Sequence, residues 1–320
     1  MRAGRAKPRR PVARGESQGG AQGCPACHSP DPARPYAGGL ASQEPTGPWR
    51  SSNLTPHAGT GIGGWTDAQI IAAIRDGVRP DGRVLHPIMP YRYYRRLTDA
   101  DASALVAFLR SLAPIEHAIG PPLPLPTAPS ASGAPPLPPA ATPSRSGAPP
   151  LPPAATPSTS GESSLAPSAP PATPPTPAAP APSAVDRGEY LVALMHCSSC
   201  HATPDPAGLP DPTRPFAGGK AMRPFGAGLV PVGTGTLIAS NITPDRETGI
   251  GAWTADDIAR SIRLLVRPDG TVIRGPMQFY AAAWSAIDAR DLAAIAAYLK
   301  QIPPVRHQVP AATFQPRGAP

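Results

Sequence analysis

The chain has 320 residues, enough for about two domains, and its 51 prolines and 31 glycines indicate that part of it does not pack into a core. Its formal charge is +8, but no aromatic residues interleave with the basic residues near the N-terminus, as a base-stacking surface requires. No apolar run reaches the roughly 18 residues of a membrane-spanning helix. We therefore expect no nucleic-acid partner and no transmembrane segment.

A first cysteine motif follows a basic segment, residues 1–14, which we interpret as a disordered tail. The stretch "GCPACHS" contains Cys24, Cys27 and His28. Two thiols at this spacing with an adjacent histidine are typical of covalent c-type haem attachment, in which the thiols form thioethers and the histidine ligates the iron. A thioredoxin-like dithiol would need a βαβ context that the sequence does not show, and a zinc site would need four ligands. Structural disulfides among the four cysteines stay open.

Helical patterns follow this motif. Thr66 and Gln69 form a capping-box pattern before three isoleucines at helical spacing, and Gly77 is the expected end of that helix. A last helix follows Asp99 or Asp101. Because no run alternates with period two for long enough to predict a sheet, we expect an all-α fold.

Residues 120–184 are dominated by proline, alanine, serine and threonine. They contain the segment SGAPPLPPAATPS twice, at 132–144 and at 146–158. This composition predicts an extended, disordered linker. Its length argues against a fixed arrangement of the regions that it joins.

The pattern of the first region returns after the linker. "HCSSCHA" contains Cys197, Cys200 and His201, and SSNLTPHAGTGIGGWTDAQI at 51–70 matches ASNITPDRETGIGAWTADDI at 239–258. The offset is 197 − 24 = 173 at the motifs but 253 − 65 = 188 at the matching tryptophans, so the second copy carries 15 more residues between them. We predict two homologous domains in tandem, and place the boundaries at 15–119 and 185–310, with a C-terminal tail at 311–320.

Methionines at equivalent positions are candidates for the sixth iron ligand. Met89 and Met277 are 277 − 89 = 188 residues apart, the offset of the repeat, and a methionine opposite a histidine raises the reduction potential of haem. Met222 is possible for the second iron. His86 is a rival for the first iron, but its counterpart is Arg274.

Three other pairs recur in both copies. We interpret Trp65 and Trp253 as core aromatics, and the alternative is a ring against the edge of a haem. His117 and His307 are interpreted as polar helix ends, and Asn53 and Asn241 as loop-ordering residues.

With these residues assembled, the chain resembles class I cytochrome c domains, in particular the multihaem cytochrome c subunits of bacterial periplasmic and membrane-bound alcohol, aldehyde and sugar-acid dehydrogenases. The features that carry the resemblance are "CPACH" and "CSSCH", "SNLTP" and "SNITP", "TGIGGWT" and "TGIGAWT", and "RPDG". It implies two covalently bound haem c groups, with iron held by His28 and Met89 and by His201 and Met277. It also implies a periplasmic electron carrier, not an enzyme, that passes single electrons from a dehydrogenase to another cytochrome or a terminal oxidase.

Two departures from the family pattern accompany the resemblance. The helix before the first motif reads "SQGGAQG", without an apolar face, so the last helix of the first domain is expected to lack a packing partner. No secretory signal is recognisable, and we expect the start site to be wrongly placed.

The alternative functions are a dihaem peroxidase, which needs one iron with an open sixth position, and a tethering or sensor module with haem as a passive core.

Overall fold

The computed structural model of the protein describes residues 10–44, 47–120, 182–206, 210–226 and 229–317. The predicted linker falls almost entirely outside these residues, as do residues 1–9 of the predicted tail. The described residues on both sides of the linker belong to one compact unit. The expectation that they have no fixed arrangement is therefore wrong, because side chains of the two repeats pack and form hydrogen bonds with each other.

The described part of the first repeat is mainly helical. Its elements are α1 (Arg10–Ala21), α2 (Cys24–His28), β1 (Ala41–Glu44), β2 (Gly47–Arg50), α3 (Asp67–Asp76), α4 (Tyr91–Tyr94) and α5 (Asp99–Ser111). Thr66 and Gln69 form the predicted capping box, and α3 ends at Gly77 with φ of 71°, a left-handed conformation that glycine adopts without strain. Thr98 caps α5. Both predicted helices are confirmed because their start signals are local.

The second repeat follows the same order with additional short strands. Its elements are α6 (Ala184–Leu194), α7 (Ser198–His201), β3 (Ala221–Met222), β4 (Gly233–Thr234), β5 (Leu237–Ile238), α8 (Ala255–Leu264), α9 (Pro276–Phe279), α10 (Ala281–Trp284), α11 (Ala289–Gln301) and β6 (Gln315–Pro316). None of the helices that the structure describes is long and apolar enough to cross a membrane.

The expectation of an all-α fold is wrong in one respect. The described residues include three two-stranded sheets, in which β1 pairs with β2, β3 with β5 and β4 with β6, all antiparallel. Strands β3, β4 and β5 lie in the longer segment after the second motif, and β6 lies within the predicted tail. Strands of two to four residues are too short to produce an alternating pattern that sequence analysis can detect.

Helix α1 corrects two further expectations. It begins at Arg10, so residues 10–14 are helical and not part of a disordered tail. It also packs against α5, which therefore has the partner that the sequence seemed to lack. The contact depends on small size and not on an apolar face: a Cβ atom at Gly15 would overlap the carbonyl oxygen of Ala104, and one at Gly188 would overlap that of Ala294 in the same way. Glycine thus lets both helix pairs approach closely.

Two core clusters form the centres of the repeats, and each contains a residue of the other repeat. Leu194 of α6 belongs to the cluster around Leu105 of the first repeat, while Ala21 of α1 belongs to the cluster around Ile295 of the second. A third cluster joins Leu40 and Trp49 of the first repeat to residues of the second. The two repeats are therefore held together by shared apolar packing beside both cysteine motifs.

Candidate haem sites

The first cysteine motif forms the one-turn helix α2, which Gly23 precedes with φ of 76°. Burial raises the pKa of Cys24, Cys27 and Cys197 to about 12. The neighbouring Cys27 adds to the shift of Cys24. Reactive dithiols and zinc thiolates need a lowered pKa, so these thiols have the opposite character. All four cysteines are free thiols, which argues against the disulfide alternative.

The histidine of each motif is fixed by one backbone hydrogen bond. Nδ1–H of His28 donates to the carbonyl of Ser52 at 2.7 Å, and Nδ1–H of His201 donates to that of Ser240 at 2.8 Å. Burial lowers the pKa of both histidines, although these hydrogen bonds partly oppose the shift. A neutral imidazole with Nδ1 bonded in this way has its Nε2 lone pair left for a metal, as is usual for histidine ligands.

Buried asparagines hold the loops that supply those two carbonyl groups. Asn53 accepts from the backbone N–H of Thr55 at 2.9 Å and donates to the carbonyl of Ile115 at 2.8 Å. Asn241 forms the same pair of bonds, the second to the carbonyl of Val305 at 2.8 Å. The predicted loop-ordering role of both asparagines is confirmed.

The recurring histidines after the last helices have a role that sequence analysis missed. Nδ1–H of His117 donates to the carbonyl of Ala37 at 2.9 Å, and His307 makes the equivalent bond to Ala217 at 2.8 Å. The next residue, Gly38, donates its N–H to the carbonyl of His28 at 2.9 Å. These histidines are therefore not simply polar helix ends; they tie the C-terminal segment of each repeat to the loop behind its motif. Their recurrence was the available signal, but the partner became visible only in the fold.

The candidate sixth ligands lie in equivalent loops. Met277 packs against the same core cluster as Cys197 and Trp253, while Met89 packs with Trp65 against the core of the first repeat. Ligation by Met89 and Met277 stays a prediction.

The rival ligands are placed differently. Met222 lies in strand β3, where it pairs with Leu237. In the turn before Met89, Nδ1 of His86 accepts the N–H of Ile88 at 3.2 Å.

A partly buried cation in the first repeat provides a test of whether haem fits these residues. The guanidinium of Arg79 lies 5.0 Å from the ring centroid of Trp65, and its buried Nε atom has no hydrogen-bond partner among the described residues. Asp81 Oδ2 lies 3.7 Å from that atom, beyond hydrogen-bonding distance. Burial and the nearby Arg83 lower the pKa of Arg79. A carboxylate-bearing group such as haem, with its propionates, would satisfy this cation.

The donor set therefore fits haem c better than another metal. Among the residues that the structure describes, no three histidine, cysteine, aspartate or glutamate side chains are arranged to hold a metal ion by themselves. Paired free thiols, an imidazole with a fixed Nδ1–H and a thioether in the same repeat match the attachment and ligation needs of haem c. Bound haem would supply one-electron chemistry at its iron, and the side chains described above would attach and orient it.

Comparison with known proteins agrees with this geometry. The cytochrome c family profile matches residues 12–113. The chain is 32% identical over 295 residues to the cytochrome c subunit of the quinone-dependent alcohol dehydrogenase of Gluconobacter oxydans, covering 92% of this chain and 55% of that protein. It is 30% identical over 295 residues to the gluconate 2-dehydrogenase cytochrome c subunit of Pantoea cypripedii, covering 91% and 59%. It is 31% identical over 302 residues to a diheme cytochrome c-type protein of Cereibacter sphaeroides, covering 92% and 86%.

The chain belongs to the cytochrome c family. It is a haem protein of electron transfer, with covalently attached haem c as the cofactor that this family implies. It spans a little over half the length of the two dehydrogenase subunits named above.

Proposed function

We propose that this chain is a dihaem electron carrier of the bacterial periplasm. One haem is attached to Cys24 and Cys27, and the second is attached at the equivalent cysteines of the other repeat. The axial ligands are His28 with Met89 in the first repeat, and His201 with Met277 in the second. Each haem takes up and releases one electron, and the chain itself transforms no organic substrate.

The observation that carries this proposal is the repetition of one hydrogen-bonded arrangement. His28 and His201 donate Nδ1–H to equivalent carbonyl groups at 2.7 and 2.8 Å, and each carbonyl precedes an asparagine with the same bonds. A degenerate first site would not need to keep the orientation of its histidine. The equal geometry therefore supports two working haem sites.

The electron donor follows from the relatives. Those named as cytochrome c subunits belong to alcohol and gluconate dehydrogenases, so we propose a dehydrogenase as the donor and a downstream cytochrome or terminal oxidase as the acceptor. Contacts with such partners are expected to be small and transient, as in most redox encounters. Methionine ligands at both irons would leave no open position for peroxide, and so the peroxidase alternative is not carried forward.

The number of haem groups is tested by intact mass. The full chain is produced in a bacterial periplasm together with haem-maturation enzymes, and the mass counts covalently attached haems. We expect two in the wild type, one in Cys24→Ala/Cys27→Ala and one in Cys197→Ala/Cys200→Ala. A wild-type mass with one haem or none would refute the dihaem proposal.

The methionine ligands are tested by spectroscopy of the same protein. Met89→Leu and Met277→Leu should each remove one half of the charge-transfer absorption of methionine-ligated ferric haem c, because each removes one of two thioether ligands. Met222→Leu is the matched control, because Met222 is the rival ligand of the second iron and lies in strand β3, and we expect it to leave the absorption unchanged. An unchanged band in Met89→Leu or Met277→Leu would exclude that residue as a ligand.

A further inference from the structure

Both cysteine motifs border the interface between the repeats, and each repeat contributes a tyrosine to it. Tyr93 lies in α4, four residues after Met89, and Tyr280 follows α9, three residues after Met277. Each tyrosine thus extends from the loop of a predicted methionine ligand. Each of them contacts the motif of the other repeat.

Tyr280 of the second repeat is seated on the motif of the first. Its ring and Cys27 both pack against the third apolar cluster, and the ring fills the space beside Gly23, the residue before Cys24. Trp284 stacks on Tyr280 with ring centroids 4.9 Å apart, and Nε1–H of Trp284 donates to the carbonyl of Ala21 at 3.2 Å. Burial raises the pKa of Tyr280, and the nearby thiols of Cys27 and Cys200 add to the shift. Tyr280 is therefore close to a cysteine of each motif.

Tyr93 of the first repeat lies against the motif of the second. Its ring centroid is 5.9 Å from that of His196, the residue immediately before Cys197. Burial raises the pKa of Tyr93, and the nearby Ser198 inside the motif partly opposes that shift. The His196 ring in turn lies 5.5 Å from Tyr280. Tyr93, His196 and Tyr280 thus form a continuous row of rings, which we call the ring bridge.

The two repeats contribute differently to the ring bridge, as a comparison of equivalent positions shows. His196 corresponds to Gly23, since 196 − 173 = 23, and both residues have left-handed backbone, with φ of 45° and 76°. A Cβ atom on Gly23 would lie 2.5 Å from Cδ1 of Tyr280, so the tyrosine ring occupies the space of the missing side chain. At His196 the same turn carries a buried imidazole, although left-handed backbone is uncommon for residues other than glycine. The turn at Gly23 therefore accommodates the Tyr280 ring, and the turn at His196 supplies the middle ring of the ring bridge.

We propose that Tyr93, His196 and Tyr280 fix the two haem sites relative to each other and couple each methionine loop to the attachment motif of the other repeat. The proposal rests on the dihaem function proposed above. Its consequence is that the two haems interact and exchange an electron within the chain: one haem is oxidised by one electron as the other is reduced, and no proton moves. These residues are positioning residues, because they act through the motifs and the methionine loops.

The test uses the full chain with two haems verified by mass. The first measurement is circular dichroism in the Soret band, where two haems held at a fixed short distance give a paired positive and negative signal. We expect this couplet in the wild type and its loss in Tyr280→Ala. Tyr280→Phe, which keeps the ring, should retain it. Tyr298→Ala is the matched control, because Tyr298 packs edge-to-face on Phe216 within its own repeat.

A second variant displaces the ring without removing it. Gly23→Ala places a methyl group where the Tyr280 ring lies, and we expect the same loss of the couplet.

The second measurement is a redox titration. Tyr93→Ala changes the first repeat, and we expect it to shift the midpoint potential of the second haem. The second haem is assigned with Met89→His, because in that variant it is the haem that keeps a methionine ligand.

The outcomes separate the bridge from the dihaem function. A wild-type mass below two haems refutes the function itself. Two haems without a wild-type couplet, or a couplet that survives both Tyr280→Ala and Gly23→Ala, would overturn the bridge alone. Loss of the first haem from Tyr280→Ala but not from Tyr280→Phe would support it, because the ring that protects the first site belongs to the second repeat.

Discussion

One hydroxyl group connects a buried carboxylate of the first repeat to helix α6 of the second. The Tyr190 hydroxyl donates to Asp101 Oδ2 at 2.6 Å, and Arg14 Nε donates to the other oxygen of the same carboxylate at 2.5 Å. Asp101 is only 1% exposed, so it depends on these donors. We expect Tyr190→Phe to lower the free energy of unfolding by about 1.5–3 kcal/mol, the usual contribution of a hydrogen bond to a charged group.

The pH dependence of this effect follows from the ionisation of Asp101. Burial alone would raise the pKa of Asp101, but hydrogen bonds from Arg14, Tyr190 and Thr98 together lower it. The stabilisation is therefore present above the unfolded pKa of about 3.9 and is lost as the pH falls through the lower folded pKa. Burial and the Asp101 carboxylate raise the pKa of Tyr190 to about 12, so its hydroxyl is a donor throughout the neutral range. The difference between wild type and Tyr190→Phe should be constant from neutral to weakly acidic pH and shrink below about pH 4.

Urea denaturation of the full haem-loaded chain, followed by far-ultraviolet circular dichroism, measures this difference. With a denaturant dependence of about 1–3 kcal/mol per molar urea, the midpoint should fall by about 1 M in Tyr190→Phe. Tyr298→Phe removes a hydroxyl from a tyrosine that packs within its own repeat and is the control. Equal midpoints for the two variants would refute the reasoning, because the bond between the repeats would then contribute nothing.

Three further changes test the packing of the interface. Gln22→Met should raise the free energy of unfolding by about 1–3 kcal/mol in urea denaturation, because both amide atoms of Gln22 are buried without a hydrogen-bond partner among the described residues. Gly15→Ala should lower it by about 1–3 kcal/mol in the same assay, because the added methyl group would overlap the carbonyl of Ala104. His196→Asn should flatten the pH dependence of the urea midpoint between about pH 6.5 and 4. Burial lowers the pKa of His196 to about 4, so the unfolded chain takes up a proton that the folded chain does not, and wild-type stability falls by about 3 kcal/mol over that interval.

The first two of these changes have control variants at exposed positions. Gln43→Met alters an exposed glutamine, and Glu16→Ala adds no bulk beside the buried face of α1. A destabilising Gln22→Met would show that the amide has a hydrogen-bond partner after all. A neutral Gly15→Ala would show that α1 and α5 can separate without cost. An unchanged pH slope in His196→Asn would mean that the histidine takes up its proton equally well in the folded protein.

The parts of the fold that sequence analysis predicted are those with local signals. The capping box at Thr66 and the end of α3 at Gly77 are encoded within a few residues, and the cysteine motifs are contiguous. Helix α1 was misjudged because its buried residues are Gly15, Gln18, Gly19 and Ala21, which form no apolar periodicity. The bond from His117 to Ala37 spans 80 residues, and only the folded chain brings these two residues together.

Comparison of the two repeats also distinguishes the interactions that stabilise each repeat from those that hold the two repeats together. The pairs Arg14–Asp101 and Arg187–Asp291 occupy equivalent positions and close each repeat in the same way, at 2.5 and 2.8 Å. Tyr190 instead stands where the first repeat has a serine, since 190 − 173 = 17, and it forms a bond across the interface. The ring bridge follows the same rule at Gly23 and His196. Because the two repeats pack asymmetrically, equivalent positions at their contact lie in different surroundings. The buried positions at which the two repeats differ therefore determine how they pack against each other.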